Sequence, residues 1–421
     1  VNPTHEPSSE PDAPIVVGHR EQLFHLIAEA CEIEHTLMCS YVYAAFSLKT
    51  GDSGLRAEEA DAVARWRASI LSVATEEMVH LLLMANLSIA LGGRPHFSRP
   101  NFPVAPGYFP SGVVVKLTPF SMDTLEHFIF LERPETEERS DGDGFAHDQE
   151  YRREEAHIGL MPSVQDYSTV GRLYRALRLN LIAAAARMGE EQLFVGPVGG
   201  QVGPDDLKME GVRTIADLRG ALEAIATIVE QGEGSNPRST DSHYQRFLAI
   251  QREYAALLQS NPGFAPAWPS AENPVMRRPP EPEDKVFIDD PSSAQVLDVA
   301  NAVYGLLLRF LVQAFGREKA HAAQSRFLGC AIDLMHALAR VGSVLAQLPA
   351  SPSQPGINAG LTFTMLRSVE PLFAGPAEQA LTLERLREVA NGARPIASVH
   401  PLLRDLHQSL HKVADSFSSA D

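Results

Sequence analysis

Two long runs near the N-terminus repeat apolar residues every three or four positions, and each interrupts its stripe with a carboxylate. On the first run Leu23, Ile27, Ala30, Glu34, Leu37 and Tyr41 share one helical face, so Glu34 points where its apolar neighbours point. On the second, Trp66, Ile70, Val73, Glu77, His80 or Leu81, and Met84 do the same. A lone carboxylate buried this way costs several kcal/mol or gives up its charge. The chain must therefore fold as packed helices that satisfy these groups inside. Glu76 falls on the other face of the second run and is expected to be solvated.

The first helix is expected to end at Thr50-Gly51-Asp52, and the second, from about 57 to 91, at Gly92-Gly93. RPHFSRPNFPVAPGYFPSG is too proline-rich for regular structure, and GVVVKLTPF predicts a short extended segment. The charged stretch within 134–166, PETEERSDGDGFAHDQEYRREEAH, reads as a surface excursion, either a lid or a solvated insertion. A third helix is expected over 168–192. A fourth begins near Thr214, breaks at QGEGSNPRSTDS and resumes at HYQRFLAIQREYAALL.

The proline-dense QSNPGFAPAWPSAENPVMRRPPEPEDK then marks a boundary before further helices. With 421 residues, more than one core is expected. The partition is a tail over 1–17, a four-helix bundle with long loops over 18–258, a linker over 259–290 and a smaller helical domain over 291–421. The fold class is all-α.

A net charge of −17, with no long Lys/Arg run, argues against nucleic acid and anionic membrane surfaces as partners. No uninterrupted apolar run approaches the roughly 20 residues that span a bilayer, and the first residues are polar, so a soluble cytoplasmic chain is expected. Cys31, Cys39 and Cys330 are scattered and read as reduced thiols.

Glu77 and His80 lie three residues apart, so both can reach one ion while the carboxylate bridges to a second. Four-helix bundles build carboxylate-bridged metal sites from such inward residues. On the fourth helix, Leu218, Leu222, Ile225 and Val229 lead to Glu233, with Glu230 as the alternate phase. After the break, His243 heads the stripe Phe247, Ile250 and Tyr254. The candidate ligands are thus Glu34, Glu77, His80, Glu233 and His243. Each taken singly also fits a buried polar group satisfied by its neighbours. His321, His336, His400, His407 and His411 lack a completing acid and are read as structural or exposed.

The blocks EIEHTLMCSYVYAAFSLK, EEMVHLLLMANLSIALGGRPHF, LERPE, TVGRLYRAL and IVEQGEG followed by SHYQRF resemble, in that order, the ferritin-like domain of the iminophenyl-pyruvate dimer synthase family, found in enzymes that make bis-indole pigments and indolocarbazoles. Later pieces, among them YGLLLRFL and LAQLPASP, resemble the C-terminal part of longer members. The resemblance implies a ferritin-like bundle with metal-binding positions at Glu34, Glu77, His80, Glu233 and His243, and oxidative coupling of two imines derived from aromatic amino acids. One position departs. Arg172 stands where the family usually has a glutamate, and no carboxylate follows on that helix before Glu190. Such a site would hold one ion rather than two, or lose redox activity. Arg172 would then be a surface residue, pair with an inward acid or, with Tyr174, meet substrate.

The expected function is a non-heme iron oxidase or oxygenase acting on a small aromatic amino-acid-derived metabolite with dioxygen or peroxide. It would carry one or two Fe ions, with Mn as the other candidate metal, and the long helical face admits a homodimer. The alternative is a non-catalytic metal-binding scaffold that kept the fold.

Overall fold

A computed structural model describes residues 15–51, 53–110, 113–145, 153, 159–232, 241–316 and 321–418. Eleven α-helices carry the described residues: α1 Arg20–Ser47, α2 Ala57–Ala90, α3 Met122–Leu131, α4 Val170–Met188, α5 Glu190–Leu193, α6 Leu218–Gly232, α7 His243–Ser260, α8 Pro291–Ala314, α9 His321–Leu345, α10 Pro376–Gly392 and α11 Leu406–Ser418. Among the described residues the strand content is one short parallel pair, Pro274–Val275 with Val286–Phe287.

Local chemistry explains the helix starts. The side chains of His19, Ser121, Thr169 and Ser242 each accept a hydrogen bond from a backbone N–H in the first turn that follows. Asp290 does the same ahead of α8, which places Pro291 in its first turn. Gly92, at φ +93°, takes the chain out of α2 in a conformation that L side chains rarely adopt. Gly196 then passes so close to the Ile89 carbonyl that a Cβ there would overlap it, which seats the 194–200 loop on the end of α2.

α1 and α2 pack along one another and form half of the bundle. The other half departs from expectation. α3 packs on α7 and α4 on α6, so the third and fourth bundle positions are an antiparallel pair, each built from two pieces. The spacing predicts the whole third helix over 168–192. The ten residues of α3, followed closely by Pro134, are too short a run for periodicity to declare. Tyr41, Phe128 and Phe247 join α1, α3 and α7 through ring contacts at 4.6–5.4 Å. Each such pair adds about 0.5–1.5 kcal/mol beyond the area it buries.

The stretch expected as a linker is not a tether. Lys49 N–H donates to the Pro266 carbonyl at 2.8 Å, Trp268 N–H to Ser47 at 2.8 Å and Ala271 N–H to Asn358 at 2.7 Å. Asn273 exchanges hydrogen bonds with the Leu117 backbone in both directions. Backbone groups that lack a helix must find partners elsewhere, and here both halves of the chain supply them. One contiguous apolar core runs from α1 and α2 through this stretch into α8 and α9. GVVVKLTPF buries Val113, Val115 and Leu117 without joining a strand ladder.

The expected tail is packed from Ile15 onward, where Ile15 and Val17 are buried and Val16 N–H donates to Gln165 at 2.7 Å. The excursion is anchored where it is described. Arg153 is buried and pairs with Glu29 at 2.8 Å and Asp166 at 3.2 Å. By length and composition α2, α8 and the Ala322–Leu345 part of α9 are apolar enough to cross a membrane, contrary to the sequence reading. More than half of each apolar window is buried inside the protein, because these helices form the centre of the core. All three cysteines are free and buried.

Candidate metal centre

Glu34 on α1 and Glu77 and His80 on α2 meet in the buried interior of the bundle, as their stripes require. His80 Nδ1 lies 2.9 Å from Glu77 Oε2 and 3.4 Å from Glu34 Oε2. From the first residue of α7, His243 brings its Nδ1 within 3.0 Å of Glu77 Oε1. Glu132, which caps the C-terminal end of α3, follows at 3.6 Å from the same nitrogen. Two three-residue groups result, Glu34–Glu77–His80 and Glu77–Glu132–His243, both buried and sharing Glu77. The Glu77 carboxylate turns one oxygen to each imidazole.

Both breaks in the bundle fall at this level. Glu132 ends α3 where the third position is interrupted, and Gln231 and His243 flank the interruption of the fourth. A helix end brings a side chain inward at an angle that the continuous 3.6-residue period does not offer.

Each imidazole is also held from behind. Gln231 Oε1 lies 2.8 Å from His80 Nε2, and Glu76 Oε2 lies 3.1 Å from His243 Nε2. Arg246 fixes Glu76 in turn, with Nη1 at 2.6 Å. Glu76 is therefore not a free surface acid, as its place on the helix suggested, because α7 packs over that face of α2. Two phenols complete the shell. Tyr174 donates its hydroxyl to Glu34, and Tyr41 donates to Glu132.

The electrostatics follow from burial and from these pairings. Burial, with Glu77 close by, pushes the Glu34 carboxyl up to about 8. Burial raises Glu77 too, but hydrogen bonding from Glu34 and the charges of His243 and His80 outweigh it and hold the group well below the usual carboxylate range. For His80, burial opposes the charge, yet the Glu77 and Glu34 carboxylates push it up to about 10. His243 is raised well above its ordinary value against the same opposition, by Glu77 and Glu132.

The donor set fits a cation. An acceptor at each Nε2 fixes the tautomer that leaves Nδ1 as the ligand atom, the arrangement by which metal-bound histidines are oriented. His243 Nδ1 is buried with no hydrogen-bond partner of acceptable geometry, although two carboxylates lie beside it. Glu34, Glu77, His80, Glu132 and Tyr174 line a cavity of about 30 Å³, space for one or two water-sized species. Ferritin-like two-metal sites draw one Glu from each of two helices and a Glu-x-x-His pair from each of the other two. Here three glutamates and two histidines are described, one carboxylate short of that pattern.

Of the other candidates, Glu233 lies outside the described residues. Glu230 is exposed and does not reach the cluster, because the α6 stripe that faces inward runs through Ala221, Ala224, Ile225 and Ile228. Arg172 is only partly buried and, with Arg175, faces Glu135 at 3.6 and 3.2 Å, away from the cavity. Tyr174 is buried at the cluster. Replacing Arg172 by alanine should leave the bound-metal content unchanged and lower stability by less than about 1 kcal/mol, since its ion pair is partly solvated. Metal analysis and a urea midpoint measure both.

Glu132 is the group the sequence reading missed. Its signal was present, since Leu125, Phe128 and Glu132 keep the three-then-four spacing of an inward stripe after the Ser121 cap. Residues 27–252 match the ferritin-like family. The chain is 26% identical to dichlorochromopyrrolate synthase of Lentzea aerocolonigenes, an alignment that covers 100% of this chain and 42% of that protein. It is 27% identical to 2-imino-3-(indol-3-yl)propanoate dimerase of Chromobacterium violaceum, covering 91% of this chain and 38% of that one. The chain thus spans less than half the length of the curated relatives it matches. A ferritin-like protein of Caulobacter vibrioides superposes with a TM-score of 0.48 at 18% identity, over 83% of this chain and 100% of that one. With its family match covering more than half of its length, the chain belongs to the ferritin-like family.

Proposed function

We propose that this chain is the oxidising part of an enzyme that couples two small imines derived from aromatic amino acids, with iron held by the carboxylate–histidine cluster. The observation that carries this reading is Glu77, whose two oxygens face His80 and His243 while Glu34 and Glu132 stand on either side. The names of the two relatives, a chromopyrrolate synthase and an imine dimerase, support the substrate class.

Iron in this cluster would supply redox exchange with dioxygen or peroxide. Joining two imines by a carbon–carbon bond removes two electrons and two protons, which the oxidant accepts. The chain's own residues have separate tasks. Glu34, Glu77, Glu132, His80 and His243 would hold the metal, one ion to each three-residue group, and Tyr174 and Tyr41 fix the rotation of Glu34 and Glu132 through their hydroxyls. Leu37, Leu131 and Ile228 wall the cavity and limit the water around the reacting atoms.

Protein loaded anaerobically with Fe(II) and mixed with an imine, generated in place from an aromatic amino acid by an amino-acid oxidase, should consume dioxygen. It should also yield a product with the mass of two imines less two hydrogens. Iron that stays bound without dioxygen consumption above a Glu77→Gln control would identify a metal-binding scaffold instead. Failure to retain any transition metal would sink both readings.

A further inference from the structure

A second cavity, of about 130 Å³, lies on the opposite side of the α1–α2 pair, where α8 and α9 close over it. Its wall is almost wholly apolar and includes Met38, Leu81, Phe97, Leu307, Ala331 and Met335. It is separate from the carboxylate cluster, although the same two helices serve both. Glu34 faces one way and His35 the other, and Glu77 and Met78 divide likewise.

One end of this cavity is polar and fully organised. Tyr304 donates its hydroxyl to His35 Nε2 at 2.7 Å, while His35 Nδ1–H donates to the Phe97 carbonyl at 3.0 Å. With one nitrogen bonded to the Phe97 carbonyl and the other to the Tyr304 hydroxyl, both ring nitrogens of His35 are satisfied within the wall. Arg99 Nε–H donates to the Tyr304 oxygen at 3.2 Å from behind. Arg99 is itself buried, stacks 4.6 Å above Phe102 and donates to the Pro100 and Phe363 carbonyls. Among the described residues no carboxylate pairs with it. The buried Arg99 charge stands directly behind the Tyr304 hydroxyl, so cations are disfavoured here.

We propose that this cavity is a binding site for an uncharged molecule built around a single aromatic ring. Close-packed interiors leave few voids larger than a water molecule, and this one is an order of magnitude larger. An apolar cavity of about 150 Å³ stays dry and takes up benzene or xenon. Phe97 and Tyr304 present aromatic surface to a flat guest, and Met38 and Met335 can adjust to its outline. No part of this inference depends on what the carboxylate cluster binds.

Xenon-pressurised crystals of the full chain should show an anomalous peak between α1, α2, α8 and α9. Toluene should raise the melting temperature of the wild-type protein, and benzylammonium should not. Ala331→Phe and Ala339→Phe each fill the cavity, and whichever folds should bind toluene at least about tenfold more weakly. The proposal is overturned by absence of xenon from the cavity, by toluene binding that survives in a folded filled variant, or by benzylammonium binding as tightly as toluene.

Discussion

Glu77→Gln should strip the cluster of all bound iron, whereas Glu34→Gln and Glu132→Gln should each leave one ion in place. Glu77 belongs to both three-residue groups, and the other two glutamates to one each. A carboxamide keeps the shape of the side chain but cannot offer two anionic oxygens to two ions. The loss at Glu77 should exceed the roughly 10–100-fold drop in affinity expected from removing a supporting group such as Glu76. Iron per chain, measured after anaerobic loading and desalting, separates the variants. Equal losses in all three would mean that Glu77 bridges nothing. The substitution should also weaken the metal-free protein by about 3–5 kcal/mol, because it leaves two buried imidazoliums without their shared counter-charge.

Iron loading should release protons, and the affinity should fall steeply with acid. In the metal-free protein His80 is raised to about 10 and His243 well above its ordinary value, so both rings are charged at neutral pH. A cation can use each Nδ1 only after its proton leaves. With the two imidazole protons displaced, and that of Glu34 as well because its carboxyl is raised to about 8, the Fe(II) affinity between pH 8 and pH 6 should drop by more than roughly ten-thousandfold, about tenfold per proton per pH unit. Chelator competition at three pH values under anaerobic conditions measures it. A flat profile would show rings that are already neutral.

The stability of the metal-free protein carries the same sign. The contribution of His80 is complete below its ordinary 6.5 and is lost as pH rises through about 10. Glu34, raised to about 8, likewise favours the folded state below its ordinary 4.5 and ceases to as pH rises through 8. Urea midpoints in the presence of a chelator should therefore fall between pH 7 and pH 10.

The first two helices were legible because their stripes are long. Leu23 to Tyr41 and Trp66 to Met84 each repeat the period often enough to show that Glu34, Glu77 and His80 turn inward. His243 was legible from the α7 stripe that follows it. Glu132 was harder to read, since α3 has only ten residues and its carboxylate lies one position past the last of them, so that three aligned positions are all the stripe offers. Glu76 was misread for a related reason. Helical phase says which way a side chain leaves its own helix, and it is silent on whether another helix waits there; α7 does, with His243 and Arg246.

The sequence by itself determined an all-α protein with polar groups on the inner faces of its helices, because those properties are written in residue spacing along single segments; the ferritin-like bundle came from the family resemblance of its blocks. Only the tertiary structure decided that the third and fourth bundle positions are each made of two pieces, that Glu132 joins the cluster while Arg172 turns to Glu135, and that the proline-rich stretch is bonded to both halves of the chain. These are contacts between segments far apart in the chain. They depend on which helix end meets which, and no local pattern of residues encodes that.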